Sequence, residues 1–460
     1  MTYDFLMIPN KTGVSLANGL TMAYDPESVQ IKPRILKTGI PSTVTISAKW
    51  FSEHKIDPPA SIVINNVSGR PGQTTGALSE LAYLQEEGSD FQFTHTFPNE
   101  GEYLLLLDGL HNAVQTLSLY VLEQDLFMRK PYRGDIHMHS SRSDGRELPS
   151  YVAAACRRIG LDFMALTDHW QYTPSLEAVE AFRDLPVDLR IYPGEEIHIP
   201  AIPVSRDFRK VINPIHIVNF GGSFSINDWI RDNESAFDRE VISIIQQLTG
   251  LPPHLEKRIY AECEWCFNKI REGGGLGIFC HPYWINKYRY DVPETLTNLL
   301  LERQPFDALE LIGGYHHSEF PANHLQVARY HEERSLGKRI PIVGVSDAHG
   351  CDTGELFGWY TTLVFSASDN FSDIKQSIMD LYSVAVESVP GSRAVAHGPF
   401  RLVKYAQFLL REILPVHDEL CREEGLAMQA YLVGDPTAID MLHAYQGRLA
   451  DYYMGVFDSG

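Results

Sequence analysis

The run Arg133-Gly134-Asp135-Ile136-His137-Met138-His139-Ser140-Ser141-Arg142-Ser143-Asp144-Gly145 carries a strand into a cluster of metal-ligand side chains. Residues two apart on a strand point the same way, so His137 and His139 aim two imidazoles at one point. Asp144, on the turn that follows, offers an oxygen at the edge of the same cavity. From Arg133 onward, short apolar strands alternate with helical stretches. A helix over Leu148 to Ile159 is followed by strands over Leu161 to Thr167, Leu189 to Pro193, Ile215 to Phe220, Leu276 to Cys280, Ala308 to Ile312 and Ile340 to Val345. This alternation predicts a parallel α/β barrel, with polar clusters just after the strand ends, where barrel enzymes keep their chemistry.

The second cluster closes the next strand, Phe163-Met164-Ala165-Leu166-Thr167-Asp168-His169. His169 is a candidate ligand, and Asp168 either orients it through its second ring nitrogen or caps the helix that follows. Pro193-Gly194-Glu195-Glu196-Ile197, Ile215-His216-Ile217, Phe279-Cys280-His281-Pro282 and Val345-Ser346-Asp347-Ala348-His349 complete a set of six histidines and three carboxylates. One metal cannot use them all, whereas two or three can. Glu196 has two oxygens and can bridge ions roughly 3.5–4 Å apart, the spacing of two-metal hydrolysis. Its neighbour Glu195 faces the opposite side of a continuing strand and is expected to be solvated or paired. His198, two residues further, can face the same cavity from behind the ligands.

In this ordered set the chain resembles the PHP (polymerase and histidinol phosphatase) family. The matching pieces are His-x-His at 137 and 139, Ser-Asp-Gly at 143 to 145, Thr-Asp-His at 167 to 169, Gly-x-Glu at 194 to 196, the lone His216, His281-Pro282, and Ser-Asp-Ala-His at 346 to 349. The resemblance spans roughly residues 131 to 390. It implies a distorted seven-stranded (β/α)7 barrel holding two or three manganese, zinc or iron ions. His137, His139, Glu196 and Asp347 would hold one ion, Glu196, His216 and His281 the second, and Asp144, His169 and His349 the third. The branch with Asp144 in place of a histidine includes small-molecule phosphatases. Hydrolysis of a small phosphorylated molecule by metal-activated water is therefore the expected activity, with Asp347 or His349 managing the proton. A β-domain ahead of such a barrel also resembles the carbaryl-hydrolase branch, which cleaves aryl carbamate esters. A third reading is a barrel used only for binding.

Other residues discriminate between these readings. Arg142 could clamp an anionic oxygen through its planar fork or merely pair at the surface, and the same holds for Tyr283, Lys287 and Arg289. A carbamate or ester hydrolase needs an apolar pocket, for which Trp170, Tyr172, Tyr283, Trp284 and Tyr315 are candidates. His316 and His317 either reach a substrate from the barrel mouth or belong to a surface loop. Cys263-Glu264-Trp265-Cys266 lacks a second ligand pair and reads as helix packing. The Gly273 to Gly277 run enters a strand instead of leaving one for a helix, so it is a helix stop and not a phosphate loop.

Residues 1 to 128 hold alternating or β-branched runs, Ser42 to Trp50, Ser61 to Val67, Phe91 to Phe97, Tyr103 to Asp108 and Ala113 to Val121. Clusters such as Asp57-Pro58-Pro59 and Ser68 to Gly72 separate them, and the pattern predicts a β-sandwich. The barrel region is expected over 131 to 395. Within it, 223 to 275 forms a helical insertion acting as a lid or pocket wall. After the barrel strands come a helix from Asp369 through Leu381, a closing strand near Val384 to Val386, and a helical tail over 396 to 460 with apolar spacing from Leu402 to Leu414. A formal charge of -20, from 59 acidic and 39 basic residues, argues against a nucleic-acid partner and leaves a small molecule. Six scattered cysteines read as reduced thiols. With no signal segment and no long apolar run, no membrane association and a cytoplasmic location are the defaults, and a homo-oligomer is compatible with everything above.

Overall fold

The computed structural model describes residues 29–48, 61–67, 79–87, 90–110, 113–201, 215–253, 255–286, 289–316, 319–352 and 356–458. Trp50, His317, Lys287 and the two turn clusters at 57–59 and 68–72 lie outside these residues.

Near the N-terminus two antiparallel-rich sheets face each other. One orders Val29–Lys32, Pro41–Ala48, Asp90–Thr96 and Gln85–Glu87; the other orders Ile35–Lys37, Ala113–Leu122, Gly101–Leu110, Ser61–Asn66 and Ser79–Tyr83. Alternation dictates the packing. Val44 and Ile46, Ile62 and Ile64, and Leu117, Leu119 and Val121 point inward from successive strands into one shared core with Phe93 and Leu105. The short strands Ile35–Lys37, Ser79–Tyr83 and Gln85–Glu87 were not foreseen from the sequence.

The region from Arg133 onward departs from the parallel expectation. Six strands form one sheet in the order Arg190–Tyr192, Phe163–Ala165, Lys130–Asp135, Tyr360–Ser366, Ser383–Glu387 and Val395–His397. Only the first three run parallel to one another, and the rest pair antiparallel. Five more strands, Gly194–Ile199, Ile215–Phe220, Leu276–Phe279, Ala308–Gly313 and Ile342–Val345, form a second mixed sheet. A strand and helix pattern reveals alternation but not direction, and short connections such as that from Ser383–Glu387 to Val395–His397 favour antiparallel neighbours.

Two seams join these sheets. At one, His169 bridges Glu196, and the Trp170 amide donates to the Glu196 carbonyl at 3.0 Å. Gly194 is required there, because a side chain would begin 2.8 Å from the Leu166 carbonyl oxygen. At the other, Met138 bridges Ala348 and the Gly344 amide donates to Thr362 Oγ1 at 3.0 Å. A side chain on Gly344 would begin 2.6 Å from the Thr361 carbonyl oxygen. Between the sheets one apolar core draws Ile136, Phe163 and Val364 from the first and Val218, Ile278, Val343 and Val345 from the second.

The insertion forms helices Ile226–Asp232, Glu234–Gln247 and Lys257–Glu272. Their faces, including Cys263 and Cys266, pack into the core of the second sheet with Ile197, Ile199, Ile215 and Ile217. It is a wall of the fold. Lys257–Glu272 stops at Gly273, as the glycine run requires.

The tail, Phe400–Glu412, Leu414–Leu432, Ala438–Tyr445 and Arg448–Val456, is packed rather than peripheral. Tyr405, Phe408 and Leu409 share a core with Ile35, Tyr120 and Leu122 of the N-terminal sheets and with Leu363 and Val384 of the six-stranded sheet. A buried ionic network fastens Leu414–Leu432 as well. His417 Nε2 lies 2.9 Å from Asp162 Oδ1 and its Nδ1 2.9 Å from Asp418 Oδ1, while Arg157 meets Glu424 at 2.7 Å and Arg133 meets Asp418 at 2.5 Å. No helix among the described residues is long and apolar enough to cross a membrane.

Burial alone would lower the pKa of His417, but Asp162 and the other acidic groups around it overcome that and raise it well above the usual histidine value. A histidine raised on folding stabilises fully below its unfolded pKa of about 6.5, and that contribution fades as pH rises through the folded value. Replacing it with Gln leaves Asp162 and Asp418 under-compensated, at a cost of about 3–5 kcal/mol. Urea unfolding of wild type and His417→Gln from pH 6 to 10 is expected to show the largest gap at pH 6 and a shrinking one above; a gap independent of pH contradicts this account.

Candidate metal centre

His137, His139, His169, His281, Asp347 and His349 sit just past strand ends, whereas Glu196, His216 and Glu310 lie within strands. His137 and His139 continue from Lys130–Asp135 in extended form, the His137 carbonyl accepting from the Asp347 amide at 2.8 Å and the His139 amide donating to the Ala348 carbonyl at 2.9 Å. The alternation predicted from sequence therefore holds through these residues, with Ile136 and Met138 packed into apolar clusters. Asp135 is buried, which pushes its carboxyl up to about 7, and its Oδ1 accepts from the Ser346 amide at 3.1 Å, fixing the loop that carries Asp347.

Glu196 is the node. Its Oε1 lies 2.7 Å from His216 Nδ1, 3.2 Å from His137 Nε2 and 3.7 Å from His281 Nε2. Its Oε2 lies 2.5 Å from His169 Nδ1 and 3.5 Å from His139 Nε2. The two oxygens thus serve two different groups of histidines. Asp347 Oδ1 reaches His139 Nε2 at 2.9 Å and His137 Nε2 at 3.4 Å. At the solvent edge, Asp144 lies 3.4 Å from His349, 3.5 Å from His169 and 3.8 Å from His139. Ligand atoms converge within 4.8 Å in the sets His137, His139 and Asp347, and His139, Asp144, His169 and His349. The second of these adds His139 to the three residues that the resemblance implied.

Two donors join the site beyond that implied set. Glu310, fully buried on Ala308–Gly313, places Oε2 3.1 Å from His137 Nδ1 and forms a set with His137 and His281. His198 places Nε2 2.9 Å from His169 Nδ1, joins His169 and Glu196 in a set, and stacks on His216 at 4.1 Å. The reading of the sequence passed over Glu310 entirely. Its signal was present: a lone carboxylate inside the apolar run Ala-Leu-Glu-Leu-Ile rarely stays buried without a partner.

The remaining candidates divide. Arg142 turns away from the cluster and pairs with Glu177 at 2.8 and 2.9 Å on the surface, because that carboxylate offers both oxygens to its fork. Asp168 neither orients His169 nor caps a helix; it accepts from the amides of Ser140 and Ser143 at 2.9 and 3.1 Å and so shapes the loop leading to Asp144. Glu195 is buried, accepting from the Ile226 amide at 2.5 Å and Ser225 Oγ at 2.8 Å, and it ties the insertion to the strand bearing Glu196. Of the aromatic candidates, Tyr172, Tyr283 and Tyr315 are buried, with the Tyr172 hydroxyl donating to the Gly222 carbonyl and that of Tyr315 to Gln326. Trp170 is exposed and Trp284 packs edge-on against His281. The exposed His316 donates its amide to Glu319.

Electrostatics favour ionised carboxylates among mixed imidazoles. Burial pushes Asp347 and Glu196 upward, but His137, with His139 at Asp347 and His216 at Glu196, overrides it and holds both well below the usual carboxylate range. Burial likewise opposes protonation of His281, yet Glu310 and Glu196 raise it to about 9. His198 falls to about 2 from burial and the adjacent His216. Meanwhile His137 Nε2, His139 Nδ1, His281 Nδ1 and both Glu196 oxygens are buried without a hydrogen bond. The short contacts around Glu196 are thus not aligned as hydrogen bonds, and a buried carboxylate left so is strongly disfavoured unless a positive charge sits among its neighbours. Divalent cations fit such a donor set of imidazoles and carboxylates. Backbone strain points the same way. Among the described residues six non-glycine residues have positive φ, and three of them, Trp170, His281 and Asp347, lie here. Each costs on the order of 1–3 kcal/mol and gathers at functional sites.

No family model matches the chain. A stretch of 94 residues, 19% of the chain, is 33% identical to the DNA polymerase/3'-5' exonuclease PolX of Bacillus subtilis (strain 168), and it covers 16% of that protein. Among solved structures, a two-domain protein from Bacteroides vulgatus ATCC 8482, containing a predicted PHP-like metal-dependent phosphoesterase, shows 17% identity. The similarity covers 56% of this chain and 65% of that one, with a TM-score of 0.34. An amidohydrolase from Chromobacterium violaceum with bound sulfate and no metal shows 20% identity over 47% of this chain and 87% of its own, at a TM-score of 0.29.

Glu310 tests the geometry without touching Glu196. Glu310→Gln keeps the shape but replaces the carboxylate that faces His137 Nδ1 at 3.1 Å. Divalent-ion affinity, measured by calorimetric titration, is expected to fall by about 10–100-fold; unchanged affinity would show that Glu310 is a bystander.

Proposed function

We propose that this chain is a metal-dependent hydrolase of the PHP type, acting as a phosphoesterase on a small phosphorylated molecule. The observation that carries the reading is the split of the Glu196 oxygens between two groups of histidines, the arrangement expected of a carboxylate shared by two ions. The rim set of Asp144, His169 and His349 supports the phosphoester choice. Arg142 is engaged by Glu177, so positive charge for a phosphoryl group falls to ions held by that set.

By the resemblance, His137, His139, Glu196 and Asp347 would hold one ion, Glu196, His216 and His281 a second, and Asp144, His169 and His349 a third; the structure differs in placing His137 beside His216 and His281 at Oε1 and His139 beside His169 at Oε2. Bound ions supply Lewis-acid charge and lower the pKa of water toward neutrality. The chain itself contributes orientation. Glu310 fixes the His137 ring, Asp168 holds the loop bearing Asp144, and Glu195 holds the strand bearing Glu196 from its opposite face. Asp347 is committed to His137 and His139. His349 has Nδ1 2.8 Å from the Asp347 carbonyl and, with its side chain 38% exposed, is the most open of the six histidines. It is the better placed of the two to return a proton to a leaving oxygen when the third ion is absent, since with that ion bound both of its ring nitrogens are engaged.

Phosphate release from an aryl phosphate is expected only when manganese, zinc or iron is supplied, and His137→Ala is expected to lower it at least about a hundredfold, as loss of a direct ligand should exceed loss of a ligand's partner. Cleavage of an aryl carbamate alone would replace the phosphoester reading with the carbamate one. No turnover of either with any of these ions would leave a barrel used for binding.

A further inference from the structure

Trp170 is a large ring that the fold leaves in water at the edge of the donor cluster. Its φ is +56°, its amide is tied to the Glu196 carbonyl at 3.0 Å, and the residue is 57% exposed. The indole centroid lies 4.1 Å from that of His198 with the two rings tilted by 54°, and His198 in turn stacks on His216 at 4.1 Å with the rings 13° apart. A column of rings therefore runs from solvent to His216, whose Nδ1 contacts the shared carboxylate. Packing alone does not explain it. A tryptophan placed for burial would not stay mostly exposed in a left-handed backbone conformation, and a position chosen for the turn alone would suit glycine or asparagine better.

The surroundings limit what that face can recognise. The chain carries a formal charge of -20, and the nearby Arg142 is occupied by Glu177, so the organic part of an anionic substrate is poorly served by charge at this rim. Stacking on an indole is independent of charge and tolerant of ring identity.

The geometry points to Trp170 as a specificity-determining platform for a substrate whose leaving group carries a planar aromatic ring, whether aryl or nucleobase. This rests on the proposed hydrolase reading and adds the class of leaving group. His198 backs the indole, so the ring of the substrate lies on the outer face while its reacting group reaches the donors behind His169.

The test is equilibrium binding of phenylphosphonate and methylphosphonate, which are not hydrolysed, to the manganese-loaded protein. Trp170→Ala is expected to weaken phenylphosphonate about tenfold and to leave methylphosphonate and metal content unchanged, with Trp170→Phe restoring most of the loss. A nucleoside monophosphate analogue run beside phenylphosphonate separates base from simple aryl recognition. Equal weakening of both phosphonates, or of neither, overturns the platform. If neither phosphonate binds but the KM for a phenyl carbamate rises in Trp170→Ala, the platform stands and the phosphoesterase reading falls; no dependence of any aromatic ligand on Trp170 overturns the platform whatever the reaction.

Discussion

A buried carboxylate among histidines, none of them aligned to hydrogen-bond it, is the constraint around which this molecule is arranged. Glu196 is fully enclosed, and its two oxygens face different imidazole groups. Such a group needs positive charge among its neighbours, because an uncompensated charge in the interior is strongly destabilising. The surrounding features serve this point. Gly194 lets its strand pass against the Leu166 carbonyl, Glu195 anchors the same strand to the insertion, and the left-handed backbone at Asp347 and His281 brings their side chains inward.

Support for the site extends well beyond it. The seam at Met138 and Ala348 fixes His137 and His139 relative to Asp347, and the strands on either side of that seam lean on a common apolar core. The six-stranded sheet is in turn backed by the C-terminal helices, which also contact the N-terminal sheets through Tyr120, Tyr405 and Phe408. Buried ion pairs such as Arg157 with Glu424 add little net stability, since their desolvation offsets much of their attraction.

The sequence was most legible where one local rule decides. The period-two spacing of His137 and His139, the apolar runs ending in Thr167-Asp168-His169 and Ser346-Asp347-Ala348-His349, and the helix stop at Gly273 depend on neighbours along the chain. Partnerships distant in sequence were not legible. Glu310 meets His137 across 173 positions, and Arg142 chooses Glu177 across 35 positions that include a helix and a strand. Tyr360–Ser366, a β-branched and aromatic run at the centre of the six-stranded sheet, was passed over although its residues favour a strand. Strand direction escaped as well, because alternating strands and helices do not say which way a neighbour runs.

The sharing of Glu196 is the central claim, and elemental analysis of metal in wild type and Glu196→Gln tests it most directly. The account predicts two or three divalent ions per wild-type chain and the loss of at least two of them in Glu196→Gln, with the fold retained by circular dichroism. A wild-type protein that holds no metal when manganese, zinc or iron is supplied, or a folded Glu196→Gln that keeps its full complement, would contradict it.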